Sequence, residues 1–376
     1  MSTESRVASA ERTGGPGRVV DVLVIGAGQA GLGVAYWLRR LSYLQVLVVD
    51  EQPVGQSWLE RWDSLRLFTP RRFSALPGLR FPDGATRSPS RMEMAQYLQE
   101  YARHFSLPIE TGIRVERLSQ DGSGFMARTA DGVIRARQVV LATGPFRRPF
   151  VPDASLGLSR DVRQLHSLEY RRPEDVPPGQ VLVVGGGNSA AQLALELQAT
   201  HSVTIASPGP PWFLPEDIAG ISMYWWMLFT GVLHASTDAW VSRYVRRRGD
   251  AIVGTQLRRL VAAGQVRLHP HRVIAGRDRE VELADGTVLP VSSVLWCTGF
   301  RSDTDWIDVP GALDGSGAPL HDAGASPVRG LHWMGLPWQT RLSSSIVHGV
   351  GHDARVTARR IAQGGSAARP AQGTSK

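Results

Sequence analysis

Two glycine-rich stretches are the places where this chain could do chemistry. Gly26-Ala27-Gly28-Gln29-Ala30-Gly31 follows an apolar run at 20–25, and Gly185-Gly186-Gly187-Asn188-Ser189-Ala190 follows another at 181–184. Gly26 and Gly185 allow a tight turn, Gly28 and Gly187 let the backbone approach a pyrophosphate, and Gly31 and Ala190 bring the next helix close. The positive N-terminus of that helix then holds the phosphate charge. An acid about 20 residues on accepts hydrogen bonds from a ribose diol. Asp50, with Glu51 beside it, closes a strand at 45–49 in that place. In the second copy the strand at 202–206 ends at Ser207 instead. Without a carboxylate there, the usual partner of a free 2′-hydroxyl is missing and a 2′-phosphate is not repelled, so the second site favours NADPH over NADH.

Strand, glycine turn, helix and strand, repeated at domain-scale separation, predict an α/β fold. It consists of two Rossmann-like dinucleotide-binding domains, each three-layered. Helices are expected at 32–41 and 191–199. Two more apolar strands, at 138–142 and 291–296, end in Thr143-Gly144-Pro145 and Cys297-Thr298-Gly299. Such small residues let the chain pass close beneath a flavin or a pyrophosphate. Gln56, Ser57 and Trp58 lead into an aromatic, arginine-rich loop at 61–70 that contains Phe68. Following the ribose-binding strand, this loop should lie over the ring end of the bound nucleotide. A helix at 92–105 and short strands with turns at Asp121-Gly122 and Asp131-Gly132 come next. A proline-rich linker follows. The expected division is 19–150 with 290–362 as a discontinuous first domain, 151–178 as linker and 179–289 as the second domain, with disordered tails at 1–18 and 363–376.

At 376 residues the chain has room for two or three domains. Its formal charge of +8 is spread from Arg6 to Arg369, and Lys376 is the only lysine. A diffuse bias of this kind is no nucleic-acid footprint, and no internal lysine remains for a Schiff base or a P-loop. Cys297 is the only cysteine, which excludes an intrachain disulfide, a cysteine metal cluster and a CxxC redox pair. No metal is expected, a reducing, cytoplasmic setting fits, and Cys297 reads as a packing substitute for alanine. The apolar run at 221–229 is too short to span a bilayer, so no stable membrane insertion is expected. It suits a membrane-touching helix, a homodimer face, a lid over an apolar substrate, or a helix packed on its own domain. Substrate specificity is expected in the loops at 210–233 and 337–347.

The motifs GAGQAG, GQSW, LATGP, QLHSLEY, GGGNSA and CTGFR, in that order between residues 21 and 361, resemble the flavin-containing monooxygenases, the class B flavoprotein monooxygenases. WDSLRLFTPRRFSALPG, PWFLP and GLPWQTRLSSSIVHGVGHDA are similar, more narrowly, to bacterial CzcO-like NAD(P)/FAD-dependent oxidoreductases. The family's linker pattern matches at His166 and Tyr170 but meets Arg160 and Val162 where it has phenylalanine and glycine. The resemblance implies FAD in the first fold, with Asp50 on its ribose, and NADPH in the second. It implies that NADPH reduces FAD, that O2 then gives a flavin C4a-(hydro)peroxide, and that one oxygen atom enters a small apolar or aromatic substrate by N-, S- or carbonyl oxygenation. Phe68 and Thr69 would lie by the isoalloxazine, and Asn188, Ser189, His166 and Ser167 would hold the nicotinamide end. Asn188, His166 and Thr69 are the catalytic candidates. An NADPH-dependent FAD reductase or oxidase, and a redox-regulatory flavoprotein, stay open as alternatives.

Overall fold

The computed structural model describes residues 18–122 and 124–366. The expected tails lie outside these residues, except that Arg18 opens the first strand and residues 363–366 prolong the last helix. The β-branched runs form strands where the pattern places them. They are β1 (Arg18–Ile25), β2 (Val46–Asp50), β3 (Ile109–Thr111), β4 (Val115–Asp121), β5 (Gly124–Thr129) and β6 (Gly132–Leu141). β6, β1, β2 and β3 lie side by side in parallel, and β4 and β5 extend the sheet as antiparallel neighbours. Val22, Leu23 and Val24 are fully buried, as a parallel strand covered on both faces requires.

The second sheet is wholly parallel. It comprises β7 (Arg163–His166), β8 (Gln180–Val184), β9 (Ser202–Ala206), β10 (Val266–His269) and β11 (Ser293–Trp296), in the order β10-β9-β8-β11-β7. Two of these strands correct the expected division. β7 falls inside the 151–178 linker, where a four-residue strand with one apolar side chain, Leu165, is hidden among prolines. β11 lies within 290–362, the stretch expected to return to the first domain, yet it pairs with β8 and β7. Its four residues are all buried, which a place between two strands supplies and an edge would not. The return to the first sheet comes later, through β12 (Ile307–Asp308) on β4 and β13 (Leu331–Trp333) on β6.

The helices that bear on the site include α1 (Gln29–Leu41), α2 (Arg91–His104), α3 (Asn188–Leu197), α4 (Met223–Phe229), α5 (Trp240–Arg248) and α6 (Val347–Ser366). Ser90 and Glu93 form a reciprocal cap on α2. α6 packs on α1. A Cβ at Gly33 would lie 3.4 Å from Ala354 and Val350, and Trp37 Nε1–H donates to Gly351 O at 3.1 Å. The first Rossmann-like unit is therefore discontinuous, completed by the far end of the chain.

Candidate functional site

The chain makes the same elbow twice. β1 ends at Gly26 (φ +110°) and β8 at Gly185 (φ +144°), backbone conformations that side chains resist. Gly26 N–H donates to Val49 O and Gly185 N–H to Ala206 O, both at 2.8 Å. A Cβ at Gly26 would stand 2.4 Å from Ala142 O, and one at Gly185 would stand 2.4 Å from Cys297 O. Cys297 is thus the counterpart of Ala142, as its packing role predicts. Burial pushes its thiol up to about 12, so no thiolate nucleophile is available at neutral pH.

Gly28 and Gly187 precede α1 and α3 with no side-chain cap, and a Cβ at either would have no protein atom within 4 Å. The first-turn N–H groups of both helices are therefore left for a ligand. Gly31 differs, since a Cβ there would sit 1.8 Å from Gly26 O. In the second copy Ala190 takes this place and is buried without conflict.

Both elbows open into one cleft of about 1350 Å³, larger than the roughly 300–1,000 Å³ of a typical single-ligand pocket. Gly26, Gly28, Gln29, Ala30, Asp50, Glu51, Ser57, Trp58, Phe68, Thr143, Gly144 and Pro145 line it from the first unit. Ser167, Gly187, Asn188, Ser189, Ala190 and Gly299 line it from the second. Asp50 Oδ2 accepts from Ala27 N–H at 2.7 Å and Oδ1 from Gln52 N–H at 2.9 Å. These bonds fix the carboxylate and leave each oxygen a lone pair for a ligand hydroxyl. Glu51 is paired with Arg147, which also reaches Asp303 at 3.4 Å. The loops after β2, β6 and β11 are thereby tied together at the cleft wall.

Two catalytic candidates do not reach the cleft, and the third is already engaged. His166 is buried, and Leu168 N–H donates to its Nδ1 at 3.1 Å. The ring proton must then be on Nε2, which donates to Gly299 O at 3.0 Å. Burial lowers the ring's pKa, and Phe300 packs edge-on at 5.0 Å. With both nitrogens occupied, His166 pins β7 to the second Thr-Gly loop and has no free atom for a substrate. Thr69 is buried, with its hydroxyl bonded to Ser74 Oγ at 2.8 Å, whereas its neighbour Phe68 faces the cleft. Asn188 lines the cleft, but its Nδ2–H donates to Ala251 O at 2.8 Å and its Oδ1 accepts from Val253 N–H at 2.9 Å. It braces the 251–253 segment against the start of α3. Among the cofactor candidates, Gln56 turns its amide to Glu60 and the Thr298 hydroxyl donates to Phe150 O. Ser207 is buried and donates to Gly209 O, and Gly31 and Gly185 lie beneath their turns rather than on the cleft.

Away from the elbows the lining of the cleft becomes mostly apolar, with Ser343 and Ser344 among it. Tyr224 and Met227 of α4, Leu233, Val245 of α5, Leu342 and Ile346 line it. The aromatic run thus divides by face. Met223, Tyr224 and Leu233 pack around buried Phe73, Tyr224 and Met227 also border the cleft, and Trp226 and Phe229 are exposed. Leu342 N–H donates to Ala235 O at 3.0 Å, joining this insertion to the loop before α6. Trp338 stands on the cleft in a left-handed backbone (φ +59°), with the Arg246 guanidinium 4.9 Å from its ring. That conformation is strained for a bulky residue.

Sequence reasoning included Arg61 only as part of the loop at 61–70 and missed Phe146 and Phe300; all three are on the cleft. A signal existed, because Phe300 directly follows one Thr-Gly pair and Phe146 follows the other after a single proline. Among the described residues no cluster of His, Cys, Asp and Glu could hold a metal ion. No helix there is long and apolar enough to cross a membrane.

The family described as pyridine nucleotide-disulphide oxidoreductase matches residues 23–223. The chain is 39% identical to an uncharacterized CzcO-like oxidoreductase of Geobacillus kaustophilus (strain HTA426), over 89% of this chain and 96% of that one. It is 28% identical to the probable indole-3-pyruvate monooxygenase YUCCA7 of Arabidopsis thaliana, over 76% of this chain and 75% of that one. A solved flavin-containing monooxygenase from Stenotrophomonas maltophilia superposes with a TM-score of 0.76 at 29% identity, covering 92% of this chain and 99% of that one. Flavin monooxygenases of this family use FAD and NADPH. With two nucleotide elbows on one cleft and a single cysteine, the chain belongs to the pyridine nucleotide-disulphide oxidoreductase family as a CzcO-like, flavin-dependent enzyme of the monooxygenase type.

Proposed function

We propose that the protein is an NADPH-dependent FAD monooxygenase that passes one atom of O2 to a small apolar or aromatic molecule. The observation that carries this is the pair of glycine elbows opening on one cleft that ends in an apolar chamber. FAD would lie on the first elbow, with Asp50 at a ribose, the amides after Gly28 at the pyrophosphate, and Thr143 to Pro145 beneath. NADPH would lie on the second, at Gly187 and the start of α3, and the missing acid at Ser207 suits a 2′-phosphate. The space beside Gly28 and Gly187, which no protein atom fills, fits both groups.

Bound flavin would supply hydride acceptance and oxygen activation, chemistry that side chains lack. The chain's own residues position and shield. Asp50 orients a ribose, and His166 and Asn188 fix the loops that floor the second site. Tyr224, Met227, Trp338 and Leu342 would keep water from the reacting centre and favour an apolar substrate. The relative named for indole-3-pyruvate is in keeping with an aromatic one. A reducing cytoplasm suits the lone thiol.

Anaerobic titration of the purified yellow protein with NADPH, and separately with NADH, tests the hydride step. NADPH should bleach the flavin at the lower concentration. Protein that retains FAD yet is bleached by neither nucleotide has no hydride-donor site, and the proposal then fails.

A further inference from the structure

Among the described residues, Arg61 is the one cation lining the cleft that makes no ion pair. It lies just after the short helix Gln56–Leu59, and its guanidinium stands 4.7 Å from the centre of the Phe146 ring and 5.6 Å from that of Phe300. Those two rings meet edge-to-face at 5.2 Å. Phe146 follows the first Thr-Gly loop and Phe300 the second, so Arg61 sits where the floors of the two nucleotide sites converge. Among the described residues its guanidinium makes no hydrogen bond and no ion pair. The adjacent Glu60 turns its Oε1 to the side-chain amides of Gln52 at 2.7 Å and Gln56 at 3.4 Å and makes no ion pair with Arg61. Its cleft neighbours Arg147 and Arg114 both reach Glu51.

A half-buried cation without an anion is costly, and aromatic faces replace only part of its hydration. Burial pulls the Arg61 pKa down to about 10, with Arg171 adding repulsion and Glu60 opposing both. The group is still charged at neutral pH. A guanidinium over two aromatic rings at the edge of a cleft can match a phosphate in charge and in its forked donors.

We propose that Arg61 is a phosphate anchor for the nicotinamide dinucleotide, reaching from the first unit into the floor of the second site. This rests on the assignment of that site to NADPH. The first site already has Asp50 for its ribose. The second offers the start of α3, but none of its residues lining the cleft is a cation, and Ser207 is tied to Gly209 O and Asn188 to the 251–253 backbone. Arg61 stands over the Phe300 ring, next in sequence to Gly299, whose carbonyl His166 holds. A phosphate bound there would join the two units, so that docking of the hydride donor sets their spacing.

The test is calorimetric titration of FAD-loaded protein with NADP+ and with NAD+, for wild type, Arg61→Gln and Arg61→Lys. Flavin content and melting temperature are measured on each. Loss of charge-assisted bonds should weaken NADP+ binding about 10- to 100-fold in Arg61→Gln and less in Arg61→Lys, with flavin content unchanged. Equal losses for NAD+ and NADP+ place Arg61 at the pyrophosphate, and a loss confined to NADP+ places it at the 2′-phosphate. Either result supports the anchor. NADP+ affinity unchanged in Arg61→Gln, or a defect in flavin retention instead, overturns it. Wild-type protein that holds FAD but binds no NADP+ overturns the function proposed above as well.

Discussion

Gly28 and Gly31 stand three residues apart in one turn, yet replacing each with alanine should break different things. A Cβ at Gly28 would have no protein atom within 4 Å and would project into the cleft, with a backbone φ of −75° that alanine accepts. Gly28→Ala should therefore fold as the wild type does, or be slightly more stable because its unfolded chain is less free, by about 0.4–1 kcal/mol. What it loses is the space into which a pyrophosphate must come. Overpacking by one methyl costs about 1–3 kcal/mol, which lowers FAD affinity roughly 5- to 150-fold. At Gly31 the added carbon would lie 1.8 Å from Gly26 O and 3.0 Å from Gly26 C. Both are backbone atoms that no rotamer change can move, so α1 must shift away from the turn. The same 1–3 kcal/mol then falls on stability, a drop of roughly 2–12 °C in melting temperature for a unit of this size. The assay is paired: melting of the FAD-free protein by circular dichroism, and FAD affinity by flavin fluorescence quenching. A Gly28→Ala protein that binds FAD with wild-type affinity, or a Gly31→Ala protein that melts where the wild type does, would refute the geometry of the elbow.

Gly187→Ala should mirror Gly28→Ala in the second site, weakening NADP+ roughly 5- to 150-fold while flavin content stays at the wild-type level; a loss of flavin instead would reassign the two sites. At Trp338, where φ is +59°, Trp338→Gly should be more stable than Trp338→Ala by about 1 kcal/mol, the reverse of the usual order, and equal thermal stabilities would contradict the strain. Burial, helped by Arg360, lowers His332 to about 4 from 6.5. The unfolded chain then takes up the proton first as the medium acidifies. The stability that neutral His332 contributes is fully present above about pH 6.5 and is lost as the pH falls toward 4, with a slope of up to about 1.4 kcal/mol per pH unit. Melting temperature measured across that window should show a shallower slope for His332→Asn, and an unchanged slope would assign the acid sensitivity elsewhere.

The elbows were legible because they rest on local rules. A glycine is needed where φ is positive, another where a ligand backbone approaches, and an acid where a strand ends. These appear in the chain as fixed spacings, and the Thr-Gly device could be recognised twice for the same reason. Strand partnership was less legible. The Val294 and Leu295 run announces a buried strand but says nothing about which sheet accepts it, and Leu165 alone cannot announce a strand among prolines. Side-chain commitments were hidden altogether. His166 and Asn188 carry groups that can do chemistry, and only the folded neighbourhood reveals that Gly299, Leu168, Ala251 and Val253 already occupy them. The aromatic run at 221–229 read as four things at once, since one-dimensional apolarity does not say which face of a two-turn helix meets Phe73.

The most direct test of the account is to reduce the FAD-loaded protein with NADPH without oxygen, mix it rapidly with oxygenated buffer, and follow flavin absorbance and released hydrogen peroxide. A monooxygenase of the kind described should pass through a transient distinct from both reduced and oxidised flavin. That transient should decay faster when an apolar aromatic substrate is supplied, and less peroxide should then be released. Direct return to oxidised flavin, with peroxide equal to the NADPH consumed whatever substrate is present, would contradict it.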